Sequence, residues 1–413
     1  MNAEIITVGT ELLLGQIVDT NFAFIAQRLA EAGINVYSKT SVGDNEKRMA
    51  ETFKLALSRS DVIIITGGLG PTVDDVTRSS LVKVLNLKLV LNDGVLKNMQ
   101  KLFDQRKWKM SQNNVSQALV PNGATVIENK NGTAPGLIIV ADKKIIITMP
   151  GVPREMKPMM TEVVIPFLKA RSKVDSLLKS RVLKVYGLGE SRVDELIEDL
   201  FRNSTNPTIA LLASHLETKV RLTARAKDDK EADELLNGLE AKIRERLHEN
   251  IFGIDEETME KAVAMLMTIK KLTLATAESC TGGLVSSWIT NVPGASAFFM
   301  RGAICYSNQS KIDTLDVKKL SLDMYGAVSK QVAEEMANGV RKVAGTDIGL
   351  SVTGIAGPDG GTPEKPVGLV YIALSTDKET ISKEFRMAGE RIWIKERAAQ
   401  SALDMLRRHL LNR

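Results

Sequence analysis

The chain has 413 residues, 44% apolar and 25% charged, the ordinary balance of a globular protein long enough for two to four domains. A net charge of +5 and only 4% aromatic residues exclude a strong nucleic-acid footprint or a base-stacking platform. Two cysteines without CxxC spacing exclude a disulfide framework and suit a reducing cytoplasm, and no apolar run approaches the ~20 residues of a membrane span.

Residues 3–8 read as a strand, so the N-terminus is expected to enter the fold directly and not as a signal peptide. Phe22, Ile25 and Leu29 share a helical face that Gly33 ends. A strand is predicted over 34–41, a helix over 45–58, and a strand over 62–66 whose unbroken apolar run suits a parallel sheet. This β-α-β-α-β order predicts a doubly wound α/β domain, which binds ligands at the carboxyl ends of its strands. The third strand end carries Gly67-Gly-Leu-Gly-Pro-Thr-Val-Asp-Asp-Val-Thr77. A glycine-rich turn entering a helix cradles phosphate through backbone N–H groups. Asp74 and Asp75 are too negative to touch phosphate, but they suit a hard divalent cation that does. The plainer alternative is that Thr72 and Asp75 form a cap and the glycines only turn the chain. Residues 137–140 and 145–149 flank Ala141-Asp-Lys-Lys144 as a hairpin. Pro150, Pro153, Pro158 and Pro166 then lead into a polar linker over 169–179.

Strands over 181–186, 208–213 and 218–225 with helices over 190–201 and 229–247 predict a small middle α+β domain. Along 218–225, Val220, Leu222 and Ala224 alternate inward with Lys219, Arg221 and Arg225 outward, a solvated sheet face. A spacer or dimerisation role is expected of this domain, and His215 reads as a loop residue.

A helix over 256–269 opens the last domain, and a strand over 271–276 runs into Ala277-Glu-Ser-Cys-Thr-Gly-Gly283 before the next helix. Ser279 thus sits on a strand-to-helix turn. There a hydroxyl can act as a nucleophile, while nearby N–H groups receive an oxyanion; the alternative is that Ser279 and Thr281 merely cap the helix. A Ser-His-Asp triad is poorly supplied, because His409 alone of three histidines lies beyond residue 255. A strand over 303–307 leads to Lys311, which in a desolvated pocket can lose its charge and serve as base, with Tyr306 beside it. A helix over 330–343 and a strand over 347–352 precede the glycine-rich loop Gly354–Thr362. Paired strands over 367–375 and 380–387 and a helix over 390–411 close the chain.

The segments AESCTGG, CYSNQSK, SVTGIAGPDGGTPEKPVGLVYIA and GERIWIKERAAQSALDML resemble the nicotinamide mononucleotide (NMN) deamidase domain of the CinA family. The resemblance implies a Ser/Lys amidohydrolase with Ser279 as nucleophile, Lys311 as base and Tyr306 nearby. It implies substrate contacts from Thr281, Gly282, Gly283, Gly357, Gly360, Gly361, Thr362 and Arg391, and no metal. The sequence departs from the family pattern at Asp359, where a glycine is usual, and at Lys395, where an arginine is usual. GTELLLGQIVDTN, VGD at 42–44, GGLGPTVDDVT, NGTAPG at 131–136 and MPGVPREM at 149–156 resemble that family's N-terminal molybdopterin-binding fold. This implies metal-dependent ADP-ribose hydrolysis, with Gly67, Gly68, Gly70 and Thr72 as phosphate loop and Asn21 as a pocket member. Asp44, Asp74 and Asp75 would hold a divalent cation, magnesium or similar, with potassium also allowed. Thr10, Glu11 and Glu155 are further pocket members.

The expected domains are 1–170, 171–254 and 255–413. The resemblance implies action on NMN and ADP-ribose; cysteine usage, the lack of a long apolar run and the mild charge suit a cytoplasmic protein away from membranes and without direct nucleic-acid binding, and a homodimer is expected. Two alternatives stay open: a pterin nucleotidyltransferase with an inactive C-terminal domain, and a non-enzymatic partner in DNA uptake or repair.

Overall fold

The computed structural model describes residues 1–171 and 177–412. They divide into two compact units, 1–179 with 224–234 and 180–223 with 235–413. Of the predicted linker 169–179, residues 172–176 lie outside the described residues, and 177–179 already belong to the strand Leu177–Val185.

The N-terminal sheet has six strands in the order Asn35–Val42, Asn2–Val8, Val62–Thr66, Lys144–Met149, Gly136–Ala141, Thr125–Ile127. The first four pair in parallel, and the last two join the sheet through antiparallel pairings. Alternate side chains of Val62–Thr66 serve two different cores. Ile64 packs with Ile5, Ile147 and the helix residues Ile25 and Leu29, whereas Ile63 and Ile65 pack with Ile6, Met49 and Phe53. Both faces are therefore covered, which is why the strand shows no polar alternation. The strand ends carrying Gly9, Asp44 and Gly67 gather on one edge.

The middle sheet runs Thr208–Ala213, Thr218–Ala226, Leu177–Val185, Ile251–Ile254. The fourth strand has four residues, too few for the sequence pattern to register, and no strand was expected there. Val220, Leu222 and Ala224 are buried and Arg221 and Arg225 exposed, in line with the alternation.

The C-terminal sheet is ordered Phe299–Ile304, Leu274–Glu278, Ile348–Gly354, Leu369–Ser375, Thr380–Arg386. Its first three strands pair in parallel, and the last two join through antiparallel pairings. Lys330–Ala344 covers one face through Val332, Met336 and Val340. Met259–Lys270 and Arg391–Leu411 cover the other. The strand expected over 303–307 lies at Phe299–Ile304, so Cys305–Ser307 is already the turn into the helix Asn308–Leu315. Within this unit the middle domain docks on the closing helix: the Tyr186 hydroxyl meets Ser401 Oγ at 2.6 Å, and Arg407 Nη2 donates to the Glu249 carbonyl at 2.6 Å. Among the described residues no helix is long and apolar enough to cross a membrane.

Candidate functional site

The buried strand Leu274–Glu278 ends at Ser279, whose N–H donates to the Val352 carbonyl (2.9 Å), fixing the turn to the neighbouring strand. Across from it the helix Asn308–Leu315 starts at Ser307, whose side chain accepts from Ser310 N–H (3.0 Å), and its first turn points Lys311 inward. Lys311 is 1% exposed, and its Nζ lies 3.1 Å from Ser279 Oγ. The same nitrogen donates to the carbonyls of Cys305 (2.8 Å) and Tyr306 (3.1 Å). Burial pushes the Lys311 pKa below the ordinary lysine range, against a weaker opposite pull from Cys305 and Cys280. A neutral amine has two N–H groups and one lone pair. Here two carbonyls take the two N–H groups, which leaves the lone pair facing the serine hydroxyl. Cys280, the neighbouring nucleophile type, is buried, and burial pushes its thiol up to about 12, so it stays protonated and inert.

Glu278 was not singled out from the sequence and has a large part in this turn. It is 1% exposed, and its Oε2 accepts from Gly283 N–H (2.9 Å) and Val285 N–H (3.1 Å). Its Oε1 accepts from Ser286 N–H (2.8 Å) and the Ser286 hydroxyl (2.6 Å). The first N–H groups of the helix Leu284–Thr290 are thus already satisfied, and Gly282 N–H donates to the Ser279 carbonyl (3.1 Å). This narrows the expectation that N–H groups near Thr281–Gly283 receive an oxyanion, because those of Gly282 and Gly283 are already taken. Those of Cys280 and Thr281 face the Cys280 sulfur, a weak acceptor, and are held by no oxygen among the described residues. Gly283 instead serves geometry: its φ is 94°, and a Cβ there would stand 2.9 Å from the Ile304 side chain. A carboxylate ending a fully buried strand just before the serine was the available signal.

At the rim, the Tyr306 side chain is exposed, and its hydroxyl accepts from Arg391 Nη2 (3.2 Å). The phenol is therefore a rim group, and it is the Tyr306 carbonyl that touches Lys311. Arg391 Nη1 donates to the Gly357 carbonyl (2.6 Å), bringing the glycine-rich loop and the closing helix together. Gly360, Gly361 and Thr362 are exposed further along that loop, where Thr362 N–H donates to the Lys365 carbonyl (2.9 Å). Lys395, one turn after Arg391, brings its ammonium over Gly282, since a Cβ built at Gly282 would lie 3.8 Å from Lys395 Nζ. Two cations thus stand beside the Ser279 turn. Thr281 lies within the turn and is fully buried.

In the N-terminal domain a cleft of about 570 Å³ opens at the strand ends, lined by Gly67, Gly68, Gly70, Glu11, Asp44, Asp74, Asp75, Gln117 and Glu155 among others. Gly67 has φ 107°, and a Cβ there would come within 2.2 Å of the Val8 carbonyl oxygen, so only glycine lets the loop leave the sheet at this point. Asp44 Oδ2 accepts from Thr10 N–H (2.9 Å) and the Thr10 hydroxyl (2.8 Å). Asp75 Oδ2 accepts likewise from Thr72 N–H (2.9 Å) and its hydroxyl (2.5 Å). The capping pair left open from the sequence is therefore present. Thr72 spends its hydroxyl on it and is not among the lining residues.

Asp44 is turned to Thr10 at the end of the first strand, and Asp75 to Thr72 of its own loop. Among the described residues no three Asp, Glu, His or Cys side chains converge as a metal cage, so Asp44, Asp74 and Asp75 are not a preassembled ligand set. Asn21 is buried, and its Nδ2 donates to the Gly151 carbonyl (2.7 Å) and Thr66 Oγ1 (3.1 Å). It ties strand ends together beside a smaller cavity of about 80 Å³. Arg78, not anticipated, is 6% exposed and donates to the carbonyls of Gly70 (3.3 Å) and Gln117 (3.1 Å). Burial lowers its pKa, with the Asp75 charge opposing.

Three family models match the chain: "Probable molybdopterin binding domain" over residues 4–170, "Damage-inducible protein CinA KH domain" over 180–253, and "CinA C-terminal domain" over 256–410. A protein of Thermoanaerobacter pseudethanolicus described as competence-damage inducible is 49% identical over 411 residues, covering 100% of this chain and 99% of its own. A CinA-like protein of Kosmotoga olearia is also 49% identical over 411 residues, with the same coverage. The crystal structure of a competence/damage inducible protein from Agrobacterium tumefaciens is 38% identical over 38% of this chain and 94% of its own, with a TM-score of 0.36. Matched from end to end by relatives of equal length and in all three segments by its domain models, the chain belongs to the CinA family of competence/damage-inducible proteins.

Proposed function

We propose that the C-terminal site hydrolyses the carboxamide of NMN to nicotinate mononucleotide and ammonia. The observation that carries this reading is the buried Lys311 amine 3.1 Å from Ser279 Oγ, with no carboxylate paired to it among the described residues. Ser279 Oγ attacks the amide carbon as its proton passes to the Lys311 lone pair. The oxyanion takes the N–H groups of Cys280 and Thr281. Lys311 hands its proton to the amide nitrogen, the C–N bond breaks, and ammonia leaves a seryl ester. Water then attacks that ester with Lys311 again as base, releasing the carboxylate and restoring Ser279. Arg391 and Lys395 supply positive charge for the single phosphate of the mononucleotide.

The N-terminal cleft supports a second activity, hydrolysis of ADP-ribose to AMP and ribose 5-phosphate. The specific observation is a glycine-rich strand end opposite Asp44 and Asp75, each with its Oδ1 left over from the threonine contacts. This donor set fits a magnesium-like cation that arrives with the diphosphate, because such a cation takes one or two carboxylates plus phosphate oxygens and waters. When bound, it would neutralise charge on the diphosphate. The chain's own part is to hold the diphosphate at Gly67–Gly70 and to keep Asp44 and Asp75 oriented through Thr10 and Thr72.

The test is to measure ammonia from NMN and AMP from ADP-ribose with the purified protein, with and without excess chelator. Both products are expected, and chelator should stop only AMP formation. No ammonia from NMN would refute the first reading; AMP formation insensitive to chelator would refute the second.

A further inference from the structure

The middle domain reaches the C-terminal site through one turn. The segment joining Thr208–Ala213 to Thr218–Ala226 is closed by Ser214, whose N–H and hydroxyl both donate to the Glu217 carbonyl (2.9 and 3.0 Å). That rigid turn presents His215 to the closing helix Arg391–Leu411. The His215 ring stacks on Trp393, with centroids 5.7 Å apart and planes 22° from parallel, and its Nε2 lies 2.8 Å from Glu396 Oε2. Arg397 Nε donates to the His215 carbonyl (3.1 Å), and Arg397 Nη1 donates to the Ala388 carbonyl (2.5 Å). Trp393 in turn covers Gly389, where an added Cβ would stand 3.1 Å from the indole. Trp393, Glu396 and Arg397 therefore form one face of the first helical turns. Arg391 and Lys395, four residues apart, form the roughly opposite face at 3.6 residues per turn.

We infer that the turn at His215 is a positioning element of the C-terminal site, pressing the start of the closing helix so that Arg391 and Lys395 are preset for the phosphate of a mononucleotide. The chain of contacts runs from His215 through Trp393 and Arg397 to Gly389 and Ala388. It continues from Arg391 to the Gly357 carbonyl and the Tyr306 hydroxyl. None of these groups touches the reacting amide, so the effect falls on binding and not on the chemical step. This rests on the reading of the site as one for a mononucleotide.

The experiment compares wild type, His215→Ala and His215→Phe in the full chain, by kcat and KM for NMN and by calorimetric binding of nicotinate mononucleotide. His215→Ala is expected to raise KM and Kd about 5-fold, with kcat within about 2-fold and an unchanged Tm. His215→Phe keeps the stacked plate and should recover most of the affinity. Equal affinities in wild type and His215→Ala, or a loss of kcat accompanied by a fall in Tm, would overturn the inference. A wild type that binds the mononucleotide but releases no ammonia overturns the proposed reaction, while the affinity comparison still decides the role of His215.

Discussion

The two candidate sites are built on opposite plans. In the C-terminal domain the reacting groups are buried and already in contact: Lys311 is 1% exposed and 3.1 Å from Ser279, behind a turn fixed by Glu278. In the N-terminal domain the acidic groups are partly exposed and separate, Asp44 held by Thr10 of a neighbouring strand end and Asp75 by Thr72 of its own loop, around an open cleft. The difference matches what each proposed chemistry would need. A lysine base must be stripped of water to become neutral, so its site has to be assembled before the ligand arrives. Carboxylates that are to receive a hydrated cation with a diphosphate must stay ionised and wet, and they complete their site only when both are present.

The largest effect expected from this contrast is at Ser279. Ser279→Ala should lower ammonia release from NMN by about 10⁴-fold or more, while AMP release from ADP-ribose stays at the wild-type rate. Cys280→Ala should remain active, because the Cys280 thiol, pushed up to about 12, is no nucleophile near neutral pH. A Ser279→Ala protein that still deamidates, or a dead Cys280→Ala with an intact fold, would reassign the nucleophile.

Next comes Lys311→Arg, which keeps a cation but cannot deprotonate in the working range, and should cost about 10²–10⁴-fold. The sign of the pH dependence follows from burial. With the pKa lowered, the neutral amine becomes populated at lower pH than for an ordinary lysine. Wild-type kcat/KM should therefore rise with pH and level off below the usual lysine value of ~10.4. The Arg variant should show no such limb. Substantial turnover by Lys311→Arg across pH 6–9 would make residue 311 a fixed charge and not a base.

A smaller effect is expected in the N-terminal cleft, where no one group carries the chemistry. Asp75→Asn should slow AMP release from ADP-ribose by about 10–100-fold and raise the magnesium concentration needed for half-maximal rate. Thr72 can still donate to the remaining amide oxygen, so the loop should keep its shape. Magnesium titrations of both proteins would show it, and an unchanged metal requirement would remove Asp75 from the cation's surroundings.

The sequence was most informative where periodicity and covalent order act together. The doubly wound N-terminal order, the inward alternation of Val220, Leu222 and Ala224, and the serine on a strand-to-helix turn were all legible. So was the pairing of Ser279 with Lys311, although the resemblance carried more of it than the residues did. The partners of backbone groups were not legible. Nothing in AESCTGG says that Glu278 folds forward over three N–H groups of the next helix. Nothing in CYSNQSK separates the Tyr306 carbonyl, which holds Lys311, from its phenol, which holds Arg391. Lys395 reaches Gly282, and His215 reaches Trp393, across 113 and 178 residues of sequence, distances over which only the folded chain decides who meets whom.

The mildest prediction tests the frame under the N-terminal cleft and concerns Glu4, a carboxylate 1% exposed in a largely buried strand. Its oxygens accept from Arg59 Nε (2.9 Å) and Nη2 (2.7 Å), from the Thr40 hydroxyl (3.1 Å) and from the Ser60 hydroxyl (3.3 Å). Burial alone would raise its pKa, but these hydrogen bonds and the Arg59 charge outweigh it and hold the carboxyl below the ordinary range. A carboxylate with a depressed folded pKa binds fewer protons in the native than in the unfolded state, so its contribution to stability rises with pH between the two values. That contribution is complete above the unfolded value of ~4.3 and is lost as pH falls through the folded one. Glu4→Gln should therefore cost about 1–3 kcal/mol near neutral pH, since Arg59 is part-exposed and can turn to water. The gap in denaturant midpoint between wild type and variant should hold from pH 6 to 8 and narrow below about pH 4. A gap that stays constant down through that range would mean that Glu4 acts by packing and hydrogen bonding alone, with its charge irrelevant to the fold.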